Sequence, residues 1–334
     1  MTANFSQYDK ANLLGTTDSL PEESKQAFEN AILDSQNYDN ISNLLISGMG
    51  GSCISGDLLR SYLYNKSEIP VIVNRSSVLP NFINEKSLCV FISYSGNTQE
   101  TLNCYNQAIE KKAQCIVITS GGDIEKIAQK NNHKIVQITG SPKMPRAAVG
   151  ELFYSLIGVL SSVRDLNIHL KEINNSLNCL NEIKENNQML ALAEKSKGKK
   201  LAVFGISPVT ESVALRWKTQ LNENSKVTAI YNSFPELTHN EIVNLAANDL
   251  ENYFIIVLRD KDEDSFTRKQ ANIALSILNK ATIEEIKIDK ESLLERQISM
   301  VYLGDYFSIY HALINQIDPT PIEAIMSLKE KMKE

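Results

Sequence analysis

The sequence has little with which to hold a metal or build a disulfide framework. Its 334 residues include four histidines, His133, His169, His239 and His311, with no H-x-H or H-E-x-x-H spacing to gather a zinc ion. The five cysteines, Cys53, Cys89, Cys104, Cys115 and Cys179, are an odd set without a C-x-x-C pair. Reduced, buried thiols are therefore expected, with no bound metal and no cofactor. Positive charge is also scarce: 34 basic against 40 acidic residues leave a net charge of −6, which argues against nucleic acid as a partner. No apolar run approaches the ~18 residues of a membrane span. The opening MTANFSQYDKANLL lacks the charged and apolar regions of a signal peptide. No membrane partner and a cytoplasmic location are the expectations.

What the sequence does contain is a repeated alternation of strand and helix. Hydrophobic residues make up 43% and charged residues 22%, as in a globular chain, and the length suits two domains. Runs at 43–47 (NLLIS), 69–73 (IPVIV), 88–93 (LCVFIS), 115–119 (CIVIT) and 134–138 (KIVQI) read as strands. Helical patterns cover about 53–63, 99–111, the stretch after 123, and 147–164. Strands that are apolar throughout indicate a parallel sheet covered on both faces. From Leu170 to Lys199 the composition shifts to Asn, Glu and Lys, as expected of a connecting helix. The pattern then repeats, with strands at 201–204, 227–231, 253–258 and 282–288, and DPTP at 318–321 divides two C-terminal helices. The expected fold is α/β, with two tandem doubly wound domains, each a mainly parallel sheet flanked by helices. Their boundaries are drawn at 1–168 and 200–334, with a linker at 169–199. The apolar run 152–157 suggests a helix buried on more than one face, as at a domain or subunit contact. The acidic stretch 260–264 reads as a solvated loop.

Two turns stand out as candidate anion sites. Gly48-Met49-Gly50-Gly51-Ser52 follows the first strand, where glycines let main-chain N–H groups face an anion at the positive end of the next helix. It is no dinucleotide fingerprint, because Cys53 stands where G-x-G-x-x-G requires glycine, and no P-loop. By itself it reads equally well as a tight strand–helix connection. The third strand ends Ser93-Tyr94-Ser95-Gly96-Asn97-Thr98. Gly96 permits a turn that gathers the hydroxyls, and Thr98 is placed to cap the following helix or to bind the same anion. Gly50, Gly51, Ser52, Ser93, Ser95 and Thr98 are thus the candidate phosphate ligands. Two such turns at the carboxyl ends of neighbouring parallel strands occupy the usual ligand position of an open α/β sheet.

GMGGS, SYSGNT, Pro145-Arg146, RWKTQLNENSK at 216–226 and ELTHNE at 236–241 together resemble the bifunctional phosphoglucose/phosphomannose isomerases, two-domain proteins of the sugar isomerase (SIS) fold. The resemblance runs from about Ile41 to Lys329. It implies an aldose–ketose isomerase that interconverts glucose 6-phosphate and mannose 6-phosphate with fructose 6-phosphate through a cis-enediol, without a metal. Such a reaction needs a carboxylate base, a cation near the enediolate and groups that open the ring. The resemblance assigns proton abstraction to Glu223, expected just beyond a helix over 209–221, where two flanking asparagines could orient it. It places Arg146 near the developing negative charge and gives ring opening to His239 and Lys329. His239 would come from the neighbouring subunit of a homodimer. Thr320 is a further candidate for the pocket. A sugar-phosphate-binding regulatory module of the same fold, which would not need Glu223, His239 and Lys329, and an isomerase of a related sugar phosphate are the alternatives.

Overall fold

Wholly apolar strands set the architecture. The computed structural model describes residues 5–33, 38, 40–140, 144–183, 187–247 and 250–332. It resolves two compact units, an N-terminal one built on 19–182 with 290–297, and a C-terminal one built on 183–289 and 298 onward. The described residues up to Asp18, including helix α1 (Leu13–Asp18), group with the C-terminal unit, where Tyr306 donates a hydrogen bond to Asp18.

In the N-terminal unit, α2 (Leu20–Leu33) precedes β1 (Asn43–Gly48), α3 (Gly50–Leu63), β2 (Val71–Asn74) and β3 (Ser87–Ser93). There follow α4 (Gln99–Glu110), β4 (Gln114–Thr119), α5 (Gly122–Lys130), β5 (Lys134–Gln137), α6 (Val149–Leu160) and α7 (Leu170–Glu182). All five strands are parallel, in the order β2-β1-β3-β4-β5. Every residue of β1 and β3 is buried, as strands covered by helices on both faces must be. All five cysteines are reduced and buried. The run at 152–157 belongs to α6, which is buried along its whole length and packs on α2 and α3 of the same unit. Its apolar faces are thus covered within the unit, which corrects the expectation of a domain or subunit contact there.

In the C-terminal unit, α8 (Asn187–Ser196), β6 (Lys200–Ile206), α9 (Glu211–Ser225), β7 (Ala229–Phe234) and α10 (Glu241–Ala247) are followed by β8 (Tyr253–Leu258), α11 (Ser265–Ile277) and β9 (Thr282–Ile286). The last two helices are α12 (Leu293–Ile314), whose first residues group with the N-terminal unit, and α13 (Glu323–Lys331). The sheet is again parallel, in the order β7-β6-β8-β9. The connecting stretch expected as one helix forms two, α7 and α8, and residues 184–186 between them lie outside the described part. The acidic stretch 260–264 is a loop before α11, as expected, with Lys261, Asp262 and Asp264 exposed, but Asp260 and Glu263 are buried. Arg259 and Glu263 are both buried and form a 2.8 Å ion pair, while Asp264 caps α11 by accepting from the amides of Phe266 and Thr267. Buried Trp217 stacks on Phe307 and donates to the Met300 carbonyl at 2.8 Å.

Near the end of α12, His311 is buried, and burial depresses its pKa to about 4. Above pH 6.5 the ring is neutral folded or unfolded and has no effect. Between pH 6.5 and 4 the unfolded chain takes up a proton that the folded chain refuses, so stability falls as pH falls. From pH 7 to 5 the wild type is expected to lose about 1–2 kcal/mol more than His311→Gln in urea unfolding. Parallel losses would refute this assignment.

Candidate active site

The two turns picked out in the sequence meet at the crest of the first sheet. β1 and β3 pair directly, with Gly48 opposite Ile92. The chain leaves β1 towards β2 on one side and β3 towards β4 on the other, so the crest between them is the switch point of the sheet. The helix after the glycine turn starts at Gly50 rather than near Cys53, so Gly50, Gly51 and Ser52 form the first turn of α3. The first-turn amides of Gly50 and Gly51 have no partner within the helix and carry its positive end, whereas the Ser52 amide donates to the Met49 carbonyl at 3.1 Å. Gly51 lies against the next piece of the site: a Cβ there would sit 3.3 Å from the Pro145 carbonyl and 3.5 Å from Arg146 Cα.

The second turn is held by its neighbour. Gly96 has φ +69°, and a Cβ there would fall 1.7 Å from the Gly121 carbonyl oxygen, so only glycine lets the two turns touch. The Tyr94 carbonyl accepts from the Ser120 hydroxyl at 2.6 Å, and the Ile124 amide donates to the Gly96 carbonyl at 3.0 Å. Ser93 is buried and donates to the Thr98 hydroxyl at 3.2 Å, whereas the Ser95 hydroxyl is exposed. Thr98 occupies the N-cap position of α4, but its side chain makes no cap bond; its hydroxyl faces Ser93 instead. Arg146 is buried, 4% exposed, in the turn that leads into α6. The N-terminal unit therefore brings the glycine turn, the hydroxyl turn and one guanidinium-bearing turn into one neighbourhood. Tyr94, between the serines, has its pKa pushed up to about 12, chiefly by burial and then by the carboxyls of Glu151 and Glu23.

Glu223, His239, Lys329 and Thr320 belong to the other unit. Glu223 lies in the last turn of α9, not beyond the helix, because tertiary contacts extend the helix through residues of weak propensity. The flanking asparagines do not orient Glu223, as the sequence suggested. Asn222 donates to the Val227 carbonyl at 2.7 Å and Asn224 to the Ser308 hydroxyl at 2.9 Å, so both lock the helix end. On the same side of α9, Arg216 donates twice to Asp305, at 3.1 and 2.7 Å, and Gln220 donates once at 3.1 Å. These contacts fix the rotation of α9 on α12, and hence the direction of Glu223. Among the described residues its carboxylate has neither a hydrogen-bond donor nor a cation partner. Lys226 bonds both the Glu223 and the Pro319 carbonyls, which ties the C-terminal end of α9 to the segment carrying Thr320. His239 ends a short 3-10 helix, Glu236–His239, ahead of α10, and is exposed. Lys329 is exposed on α13, a helix with no buried residue. No hydrogen bond joins His239 or Lys329 to Glu223 among the described residues.

Among the described residues, no three His, Cys, Asp or Glu side chains cluster to hold a metal ion, and no helix is long and apolar enough to cross a membrane. Sequence reasoning missed Glu151, a buried acid in the otherwise apolar α6. A lone carboxylate inside so apolar a run was the available signal.

Two parallel sheets, one with hydroxyl and glycine turns at its switch point, define a tandem SIS protein, as expected. Residues 38–144 match the SIS domain, and residues 185–332 match the bacterial phospho-glucose isomerase C-terminal SIS domain. The chain belongs to the bifunctional phosphoglucose/phosphomannose isomerase family. It is 36% identical to the member from Caldicellulosiruptor bescii, over 94% of this chain and 97% of that one. It is 32% identical to the member from Aquifex aeolicus, over 87% and 90%. Among solved structures, the C-terminal domain of glucosamine-fructose-6-phosphate aminotransferase from Francisella tularensis superposes with a TM-score of 0.71 at 16% identity, covering 91% of this chain and 96% of that one. At that identity the likeness concerns the fold alone.

Ser93→Ala removes a hydroxyl while leaving the glycine-locked turn in place. The expected loss of stability is about 1 kcal/mol, together with a roughly tenfold weaker affinity for inorganic phosphate by titration calorimetry. Unchanged phosphate affinity would contradict a role for this turn in anion binding.

Proposed function

We propose that the protein interconverts glucose 6-phosphate and mannose 6-phosphate with fructose 6-phosphate, through a cis-enediol and without a metal ion. The observation that carries this reading is the crest between β1 and β3, where first-turn amides, the hydroxyls of Ser52, Ser93, Ser95 and Thr98, and buried Arg146 can hold a phosphate dianion without a lysine. Membership of the family supports the substrate pair.

In this reading Glu223 takes the proton from C2 of the open-chain aldose phosphate while O1 of the carbonyl takes up a proton, giving the cis-enediol. The same carboxyl then delivers its proton to C1 as the O2 hydroxyl gives up its own, which leaves the ketose carbonyl at C2. A carboxylate with no structural partner is free to do this, because protonating it breaks no ion pair. Arg146 stabilises the negative charge that develops on the oxygens. His239, contributed by the neighbouring subunit of a homodimer, and Lys329 move the proton of the ring oxygen as the sugar opens, and Thr320 lines the pocket. Glucose 6-phosphate and mannose 6-phosphate differ only at C2 and lose that difference once the C2 proton leaves, so one base serves both. A soluble metabolic role in the cytoplasm accompanies this assignment.

Both aldose phosphates are expected to form fructose 6-phosphate in a coupled dehydrogenase assay, at rates unchanged by a chelator. Glu223→Gln should fold normally and lose about 10²–10⁴-fold in kcat. Ligand-dependent stabilisation without turnover would favour the regulatory module. Loss of activity with the chelator would overturn the metal-free route, and near-normal turnover by Glu223→Gln would remove this base.

A further inference from the structure

Glu151 takes no part in the reaction described above, yet it is a buried acid five residues beyond Arg146. It is 2% exposed, in the first half of a helix whose other residues are apolar or small. Its Oε1 accepts two hydrogen bonds from one residue just past β5, from the Thr139 amide at 2.5 Å and the Thr139 hydroxyl at 2.6 Å. Its Oε2 is buried with no partner among the described residues. Burial raises the pKa of Glu151 against the pull of the Thr139 bonds. Glu23, on α2, faces it and is raised as well, by burial and then by Glu151, while the Ser19 hydroxyl donates to Glu23 at 2.7 Å. A carboxyl is a costly group in such a place, and a leucine would fill the space more cheaply.

Its connections explain the cost. The turn that carries Arg146 is wound onto the start of α6: the Ala147 amide donates to the Met144 carbonyl at 2.9 Å, and the Ala148 amide to the Pro145 carbonyl at 3.3 Å. One turn further on, Glu151 fastens that helix to the segment just past β5. Pro145 and Arg146 in turn lie against Gly51 in the first turn of α3. The chain of contacts thus runs from β5 through Glu151 to the Arg146 turn and the glycine turn. We propose that Glu151 is a positioning residue: by clamping Thr139 it sets the start of α6 on the sheet and so aims Arg146 at the anion seated between β1 and β3. This rests on the reading of that crest as the substrate site.

The test is a comparison of kcat and KM for fructose 6-phosphate in the full-length wild type, Glu151→Gln, Glu151→Leu, Arg146→Ala and the double variant Glu151→Leu/Arg146→Ala, with thermal melts of each. Glutamine keeps the oxygen that accepts both Thr139 bonds, so Glu151→Gln should retain kcat within about threefold of wild type. Glu151→Leu should keep or raise the melting temperature but lower kcat about tenfold or more, with KM changed less. The double variant should be no slower than Arg146→Ala, because residues acting through one group are not additive. If Glu151→Leu does not fold, Thr139→Val, which loses the hydroxyl and keeps the amide, should lower kcat in the same sense and should not slow Arg146→Ala further. Losses that multiply in either double variant, or an unchanged kcat with only a shifted melting temperature, would overturn the positioning role while leaving the isomerase reading intact. A wild type that turns over no aldose or ketose phosphate would overturn both.

Discussion

β1 and β3 run side by side in register, and after them the chain departs in opposite directions. That divergence opens a crest between two helix starts, and the first-turn amides of α3 and the turn before α4 face it. An anion there meets oriented N–H dipoles that need no rearrangement. In the proposed reading no lysine is needed there, and a chain of net charge −6 would accept a dianion through fixed dipoles and one buried guanidinium. The rigidity of the crest has a visible source. Gly96 and Gly121 approach too closely for any side chain at Gly96, so the hydroxyl turn cannot slide along its neighbour.

The second unit repeats the topology but not the use of its crest. Beyond β8 and β9, Arg259 is saturated by Glu263, Glu285 and Asn272. The open hollow of about 630 Å³ beside it is lined by four basic and four acidic side chains, whose charges cancel. It has no excess field for an anion. Glu223 lies elsewhere, at the far end of the helix that links two parallel strands. That position corresponds to the end of the sheet where strands begin. Its demand is for a fixed helix rotation, which the buried Arg216–Asp305–Gln220 cluster and the Ser308 contacts provide.

Most of this fold was legible because apolar strands leave a strong pattern. NLLIS and LCVFIS are buried on both faces and could hardly be anything but central strands. The glycine and hydroxyl turns were legible only as a pair: each alone reads as well as a tight connection or a helix cap, and their place at the ends of neighbouring parallel strands singles them out. What escaped the sequence was decided by tertiary partners. Asn222 and Asn224 look like residues that end a helix or steer a neighbour, but Val227 and Ser308 recruit them to prolong it. Asp260 and Glu263 look solvated because charge runs usually are, yet Arg259 draws Glu263 into the interior. Glu151 was hidden in an apolar run, since nothing nearby in the sequence announces its partner Thr139.

The most direct measurement is the position of the phosphorus atom in a crystal of the protein grown with fructose 6-phosphate. The account predicts phosphate oxygens within hydrogen-bonding reach of the Ser93, Ser95 and Thr98 hydroxyls and of the first-turn amides of α3. A phosphate bound instead in the hollow beside Arg259 and Arg268, with the crest between β1 and β3 left to solvent, would contradict it.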